Sequence, residues 1–564
     1  MSPFTLLAGF THELSRRRVF RVAVAYAAGS WLIAQVASTF FPPLGIPDWS
    51  LSLLALLLVL GFPVALGLAW AFDLTPEGVR RTPAASAAAA QATSPAAAAV
   101  RSTLPAVLAL PVVDRSAERE HQYLGDGITD ELIGALARVP GVQVVSRTTA
   151  FAVRGAHVDV RELGSRLGIT HVLEGSLRVA GGQLRLAVQL ADAESGFAVW
   201  SQSFDRLLDD VFTVHEEIAR AVASALGPAV RPAASGAEPD TPLPSSTLDF
   251  EAYGAYLRGR QRWNERTPGS LRRALQLFQE AVQRDPRYAH AHAGIADCWS
   301  ILVDHGIVSP AEGLAPARAA AATALALRPD LAEAQTSAAL VAQLEGRTDV
   351  AEAGFRAALQ RTPSYCVARH RLALLLAWQG RFDEAREQMR QARRADPLSA
   401  LVVTSMAWIE YFAGRYAEAA GIVETVLAEH PGFAAARLPL ALALSASGRR
   451  REAVAVARAA RDAGGNAAVL GILGYVLGRA GRTAAAHAVL TELGRMAASG
   501  YVPHYVRAQV WAGLGSTDEA VAQLLAAHAE RSPQLGYLSL DPVFDSLRDD
   551  PRLTAISAAV GAAA

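Results

Sequence analysis

The stretch PDLAEAQTSAALVAQLEGRTDVAEAGFRAALQRTP, Pro329 to Pro363, is one period of a pattern that runs down the second half of the chain. Pro329, Pro363, Pro397 and Pro431 stand 34 residues apart. Gly346-Arg347, Gly380-Arg381, Gly414-Arg415 and Gly448-Arg449 keep the same step, and so do Ala351, Ala385, Ala419 and Ala453. A fixed period of this length, without strand-and-turn alternation, predicts stacked helical hairpins, each too small to bury its apolar face alone. The expected work of such an array is to hold another molecule.

At 564 residues the chain is too long for one core, so several units are expected. Its 53 acidic and 53 basic residues cancel, which leaves no general positive field for phosphates, and nucleic-acid binding is not expected. Every one of those cations is arginine. The absence of lysine excludes a P-loop lysine, a Schiff base and a Ser-Lys dyad, each of which needs an ammonium group. Cys298 and Cys366 are 68 residues apart and match no metal spacing, so buried free thiols are expected.

Residues 1–18 end in Arg16-Arg17-Arg18 and read as a cytoplasmic N-terminus. Two uncharged runs follow, Val22 to Phe41 and Leu51 to Phe72, within a segment 19–72 that reads as a two-helix transmembrane anchor. Twenty helical residues span roughly 30 Å, the thickness of the hydrocarbon core. Arginines flank the pair at Arg16 to Arg18 and Arg80-Arg81, while the connection carries only Asp48. The positive-inside rule then predicts a multi-pass protein of the bacterial inner membrane with the bulk of the chain cytoplasmic. Residues 73–104, mostly Ala, Ser, Thr and Pro, read as a flexible linker.

Ordered sequence resumes at Pro105. Ala106 to Leu110 suits a buried strand, Asp126 to Val139 has helical spacing, and strands at Val142 to Ser146 and from His171 bracket a helix over Val160 to Leu167. Gly181-Gly182 between alternating runs predicts a β-hairpin. A strand over Phe197 to Phe204 and a helix over Val211 to Leu226 close a small α/β domain, residues 105–227. Asp126, Asp130 and Glu131 are expected at a helix start, where carboxylates complement the dipole. A linker, 228–247, then leads to the repeats.

The words Tyr123-Leu-Gly-Asp-Gly-Ile-Thr-Asp-Glu-Leu132, Val172-Leu-Glu-Gly-Ser-Leu177 and Leu190-Ala-Asp-Ala-Glu-Ser-Gly196, with Trp200-Ser201 and Phe204-Asp205, resemble the domain of FlgO-like and TolB amino-terminal-like proteins. Arg18 to Val22 and Phe72 to Gly78 resemble the anchor that precedes that domain in bacterial proteins with helical repeats. The resemblance implies architecture more than activity.

The repeats themselves resemble the tetratricopeptide (TPR) pattern. In the unit 366–397, Leu372, Ala373 and Leu376 take first-helix positions, and Ala385, Met389, Ala392 and Pro397 take second-helix positions. Carrying the phase outward gives a solenoid of about eight repeats over 248–540, with a cap and tail over 541–564. The first unit is expected to hold a long loop at Asn264 to Ser270, and the second to place nine extra residues in an Asp304 to Leu314 loop. First helices line the concave side in the family. By phase that side presents His370, Leu374, Trp378, Thr404, Trp408, Tyr411, Phe412, Leu438, Leu442 and Tyr475, an aromatic groove without a row of cations. An apolar or extended peptide is the expected ligand; the alternative is that these side chains pack between hairpins.

No catalytic, cofactor or metal constellation stands out. The fold class is thus expected to be multidomain, with a transmembrane helical hairpin, a small α/β domain of FlgO and TolB amino-terminal type and an all-α TPR solenoid. The function expected is a membrane-anchored, non-enzymatic scaffold that binds a protein or peptide partner without a cofactor. The rival is a regulatory subunit whose α/β domain binds a ligand or signalling partner.

Overall fold

The computed structural model describes residues 30–31, 34–35, 37–41, 47, 49–51, 53–54, 56–58, 60–62, 72–75, 78–81, 104–116, 121–139, 141–154, 159–207, 214–226, 247 and 249–562. They belong to two compact units, Met1–Arg101 and Ser102–Ala564.

In the first unit the described parts of the apolar runs are helical, within Ser30–Phe40 and Trp49–Phe62. The transmembrane hairpin and the inner-membrane placement are corrected here: among the described residues no helix is long and apolar enough to cross a membrane. Phe72, expected to end a span, instead opens strand β1 (Phe72–Thr75), which pairs antiparallel with β2 (Gly78–Arg81) in the register Phe72↔Arg81. Most of the first run, the linker expected after Arg81 and nearly all of 228–247 lie outside the described residues.

The second unit begins with an α/β layer. Its strands are β3 (Ala106–Ala109), β4 (Val113–Asp114), β5 (Gln143–Val144), β6 (His171–Ala180), β7 (Gln183–Asp192) and β8 (Ala198–Leu207), in sheet order β5-β3-β6-β7-β8 with β4 also on β6. The β3–β5 and β3–β6 pairs are parallel, while β6, β7 and β8 form an antiparallel meander. Gly181 and Gly182 both take positive φ, 56° and 77°, the geometry a two-residue hairpin turn requires. Four helices flank the sheet: α1 (Gln122–Ala137), α2 (Arg147–Ala152), α3 (Val160–Leu167) and α4 (Val214–Ala225). Leu124, Ile128, Leu132 and Leu136 give α1 a buried stripe facing Leu177, Leu186 and Val188 of the strands.

Sixteen helices follow as eight hairpins: α5 (Phe250–Asn264) with α6 (Pro268–Arg284), α7 (Ala289–Asp304) with α8 (Pro310–Leu327), α9 (Ala332–Leu344) with α10 (Thr348–Arg361), and α11 (Cys366–Trp378) with α12 (Phe382–Ala395). The later four are α13 (Ala400–Phe412) with α14 (Tyr416–Glu429), α15 (Arg437–Ala446) with α16 (Arg450–Asp462), α17 (Ala467–Arg479) with α18 (Thr483–Ser499), and α19 (His504–Leu514) with α20 (Thr517–Ala529). Two 3-10 turns, Pro533–Tyr537 and Pro542–Leu547, and α21 (Pro551–Ala562) complete the chain.

Each element of the 34-residue beat has a physical cause. Gly346, Gly380, Gly414 and Gly448 end a first helix at φ between 75° and 80°, a left-handed conformation in which a side chain costs about 1–2 kcal/mol. The next amide closes the turn: Arg347 N–H donates to the Ala342 carbonyl, and Arg381 N–H to that of Leu376, both at 2.9 Å. The beat arginines pair with carboxylates, Arg381 with Glu352 and Glu384, Arg449 with Glu452. Ala351, Ala385, Ala419 and Ala453 have no exposed surface, because helices crossing at close range leave space for a methyl only. Each proline sits second in a four-residue turn, for example Thr362 to Tyr365, where its fixed φ suits the bend.

Two loop expectations are corrected. The first hairpin turns in three residues, because α5 runs to Asn264 and Thr267 caps α6 through a reciprocal bond with Ser270. In the second, three of the nine additional residues lengthen α7 and four lengthen α8 relative to α9 and α10, so only two enter the loop.

The α/β layer and the array share one core, from Val107 through Ile409. Its helices lie against the proline turns. Ser146 N–H donates to the Ala395 carbonyl at 2.7 Å, and the Thr149 hydroxyl donates to Asp396 Oδ1 at 2.8 Å. The same hydroxyl accepts from Leu398 N–H at 3.0 Å, while Ser364 bonds the Ala137 carbonyl. Asp396→Ala therefore leaves fully buried Thr149 without its acceptor, and a cost of about 1–3 kcal/mol is expected in urea denaturation. Adding Thr149→Val should cost less than the sum of the two single changes.

Candidate functional site

The first helices present an inner face, and the chain's own end lies along it. Tyr537, the last residue of the first 3-10 turn, stacks on Phe412 with ring centroids 4.6 Å apart and planes 10° apart. On its other side it stacks on Trp378 at 5.7 Å and 27°. Trp378 and Phe412 close their helices one period apart, which is how the repeat spaces two rings to receive a third. Gly536 lies so close to Trp378 that an added Cβ would fall 1.5 Å from Cε2. Further along, Asp541 is 3% exposed and accepts from the Tyr505 hydroxyl at 2.7 Å and the Tyr411 hydroxyl at 3.2 Å, while it caps the second turn through Val543 N–H. Phe544, fully buried, meets Tyr505 edge-on at 5.4 Å. Gln534 donates to the Asp304 carbonyl at the end of α7 at 3.0 Å. The segment Pro533–Leu547, an arm, thus touches α7, α11, α13 and α19, all of them first helices.

The arm accounts for several of the groove residues expected from phase. Trp378, Tyr411 and Phe412 meet around it, and Trp408 stacks behind Phe412 at 5.6 Å and 22°. His370 is buried and its Nε2 bonds the Ser405 hydroxyl at 2.8 Å, which ties α11 to α13. Leu374 packs against the core shared with the α/β layer. Thr404, Leu442 and Tyr475 are buried, and Leu438 is partly buried against the core of the later repeats. Phase alone did not point to Gly536, Tyr537, Asp541 or Tyr505. The word Leu540-Asp541-Pro542-Val543-Phe544 was legible only as a cap, although a carboxylate and an aromatic flanking a proline are what the site uses.

Burial raises Asp541 above the ordinary carboxylate range, against the two tyrosine hydroxyls that stabilise its charge. Burial, and then the Asp541 carboxylate, pushes the phenols of Tyr411 and Tyr505 well up, so both remain donors. Cys298 and Cys366 are free thiols, pushed up by burial and unsuited to nucleophilic work.

The acidic group in the α/β layer takes a different form from that expected. Helix α1 begins at Gln122, so Asp126 lies one turn inside it, and Asp130 and Glu131 further still. Arginines hold two of them: Asp126 pairs with Arg154 and Asp130 with Arg147. Glu131 lies 4.0 Å from His215.

Eight antiparallel helix pairs, seven of them turning at a left-handed glycine and the first five each followed by a proline turn, define a helical-hairpin repeat protein. Tetratricopeptide repeats lie within it: the family model of that description matches residues 342–409 and 413–474. Arrays of this family hold protein or peptide partners. A curated relative, named putative adenylate cyclase 3, from Rhizobium meliloti (strain 1021), is 32% identical over 192 residues, which is 34% of this chain and 32% of that protein. The match spans about a third of the relative's length. Among solved structures, a thermophilic TPR protein of Thermus thermophilus aligns at 20% identity and TM-score 0.30, over 34% of this chain and 98% of that one. PilF of Pseudomonas aeruginosa aligns at 20% and 0.28, over 36% and 91%. Those two likenesses concern fold alone.

Burial, then Arg371 and Arg266, lowers the His370 pKa from 6.5 to about 3, against the pull of Asp304. The folded chain keeps this ring neutral where the unfolded chain takes up a proton, so its contribution is lost as pH falls from 6.5 toward 3. The melting temperature of the wild type should exceed that of His370→Gln at neutral pH, with the gap narrowing as pH drops to about 5. A gap independent of pH would contradict this account.

Proposed function

We propose that this chain is a protein-interaction scaffold whose tetratricopeptide array receives an extended segment of a protein partner along its first helices. The observation that carries the reading is the seat of Tyr537 between Trp378 and Phe412, because it is a worked case of a short irregular segment held there. Trp378, Trp408, Tyr411 and Phe412 are assigned to partner contact. His370, Leu374, Thr404, Leu438, Leu442 and Tyr475 shape the wall behind them. No catalytic group is assigned, since the arginine pairing of Asp126 and Asp130 gives those carboxylates a structural role.

A second, regulatory reading has its own support. The α/β layer shares a core with the array, and the Thr149–Asp396 bond joins it to the turn between the fourth and fifth hairpins. A ligand on that layer would bias the repeats directly. The likeness of Tyr123–Leu132 and Leu190–Gly196 to FlgO-like and TolB amino-terminal-like proteins, and the part-length match to a protein named a cyclase, belong to this reading.

The test is selection of displayed peptides against the full chain. Trp378→Ala is expected to weaken the selected peptides at least about thirtyfold, since a central aromatic anchor contributes about 2 kcal/mol or more. Unchanged binding to a Trp378→Ala, Phe412→Ala chain that keeps its helical signal would overturn the groove assignment. Peptide-independent stabilisation by a small ligand, lost in Thr149→Val, would favour the regulatory reading.

A further inference from the structure

The arm is attached to the groove like a bound ligand. It has little regular secondary structure of its own, being two 3-10 turns of five and six residues. Leu535, Leu538, Val543 and Leu547 join the core of the later repeats, and the specific contacts come from a few further positions. Gly536 fits where no Cβ can, Tyr537 fills the slot between two rings, Asp541 takes both tyrosine hydroxyls, and Phe544 closes against Tyr505. On the groove side the Asp541 carboxylate is met by two neutral hydroxyls, those of Tyr411 and Tyr505, rather than by arginine. The junction with α20 is three residues, Glu530 to Ser532, and its middle residue Arg531 has a left-handed φ of 56°, an uncommon conformation for a side-chain-bearing residue.

We infer that the groove is selective for a segment with the pattern Gly-Tyr-x-x-x-Asp-Pro-x-Phe, and that the arm is its resident copy, which a partner segment carrying that pattern displaces. This rests on the scaffold reading and specifies the partner's chemistry: a glycine-aromatic pair, an acidic residue four positions on, and a second aromatic three beyond it. Selectivity follows from geometry. A residue larger than glycine before the aromatic meets the Trp378 ring, and an uncharged aliphatic in place of the aspartate leaves two buried phenols unpaired. Because the arm is tethered, its effective concentration is high, so a free partner meets a filled groove until the arm is weakened or the partner is locally concentrated.

The experiment uses a fluorescent peptide of residues 533–547 and the full-length protein. Gly536→Ala weakens the arm while leaving every groove residue intact. The labelled peptide is expected to bind this variant on the order of tenfold more tightly than wild type. Binding should be lost again when Trp378→Ala is added, or when the peptide's tyrosine or aspartate is replaced by alanine. Tyr537→Ser serves as the second weakened variant if Gly536→Ala loses its helical signal. Equal, weak binding to wild type and to a folded weakened variant overturns the proposal. If displayed peptides lacking the pattern nevertheless bind in a Trp378-dependent way, the pattern is wrong while the scaffold reading stands.

Discussion

The closeness of neighbouring helices governs the architecture. At Ala351, Ala385, Ala419 and Ala453 there is room for a methyl group and nothing more, and those four methyls are wholly enclosed. With that spacing set, each hairpin must turn sharply, which the left-handed glycine and the proline turn accomplish with the same hydrogen bonds in each period. The first helices then bring chemically similar positions to one face at regular intervals. Trp378 and Phe412 form a slot because they occupy equivalent places in adjacent copies.

Two non-repeating parts use that regular surface. The α/β layer lies on the proline turns, where the caps leave backbone groups for Ser146 and Thr149 to meet, and Asp396 is buried between the two. The arm lies across the first helices from α7 to α19. One occupies the turns and the other the slot. With both surfaces engaged within the chain, the array differs from one with an open groove.

The repeats were legible because every period restates the same local requirements: glycine where φ is positive, alanine where helices touch, proline where the chain bends. The TPR reading followed from that. What escaped was non-local. Tyr411 and Asp541 are 130 residues apart and Thr149 and Asp396 are 247 apart, and no periodicity relates them. The helix start was misplaced because Tyr123 and Leu124 supply apolar residues one turn before Asp126, which turned expected dipole partners into arginine partners. The long second hairpin absorbed its additional residues mainly as helix, since Ala-rich sequence around Ala319 to Ala324 favours continuation over a loop. The early apolar runs satisfied a hydropathy criterion, but among the described residues no helix is long and apolar enough to cross a membrane.

Closure by the arm also changes how such a molecule comes apart. Stacked repeats ordinarily behave as a one-dimensional chain in which each hairpin feels only its neighbours and can fray independently. Here Gln534 reaches α7, and an added Cβ on Gly306, in the loop after α7, would fall 2.6 Å from Pro503 beside α19, so the second hairpin and the eighth are direct neighbours. A line of repeats whose last hairpin touches its second has lost one free end from which to unzip. Release of the fifteen-residue arm would remove the Gln534 link and leave the approach of Gly306 to Pro503, so closure rests on the arm and on the hairpins themselves.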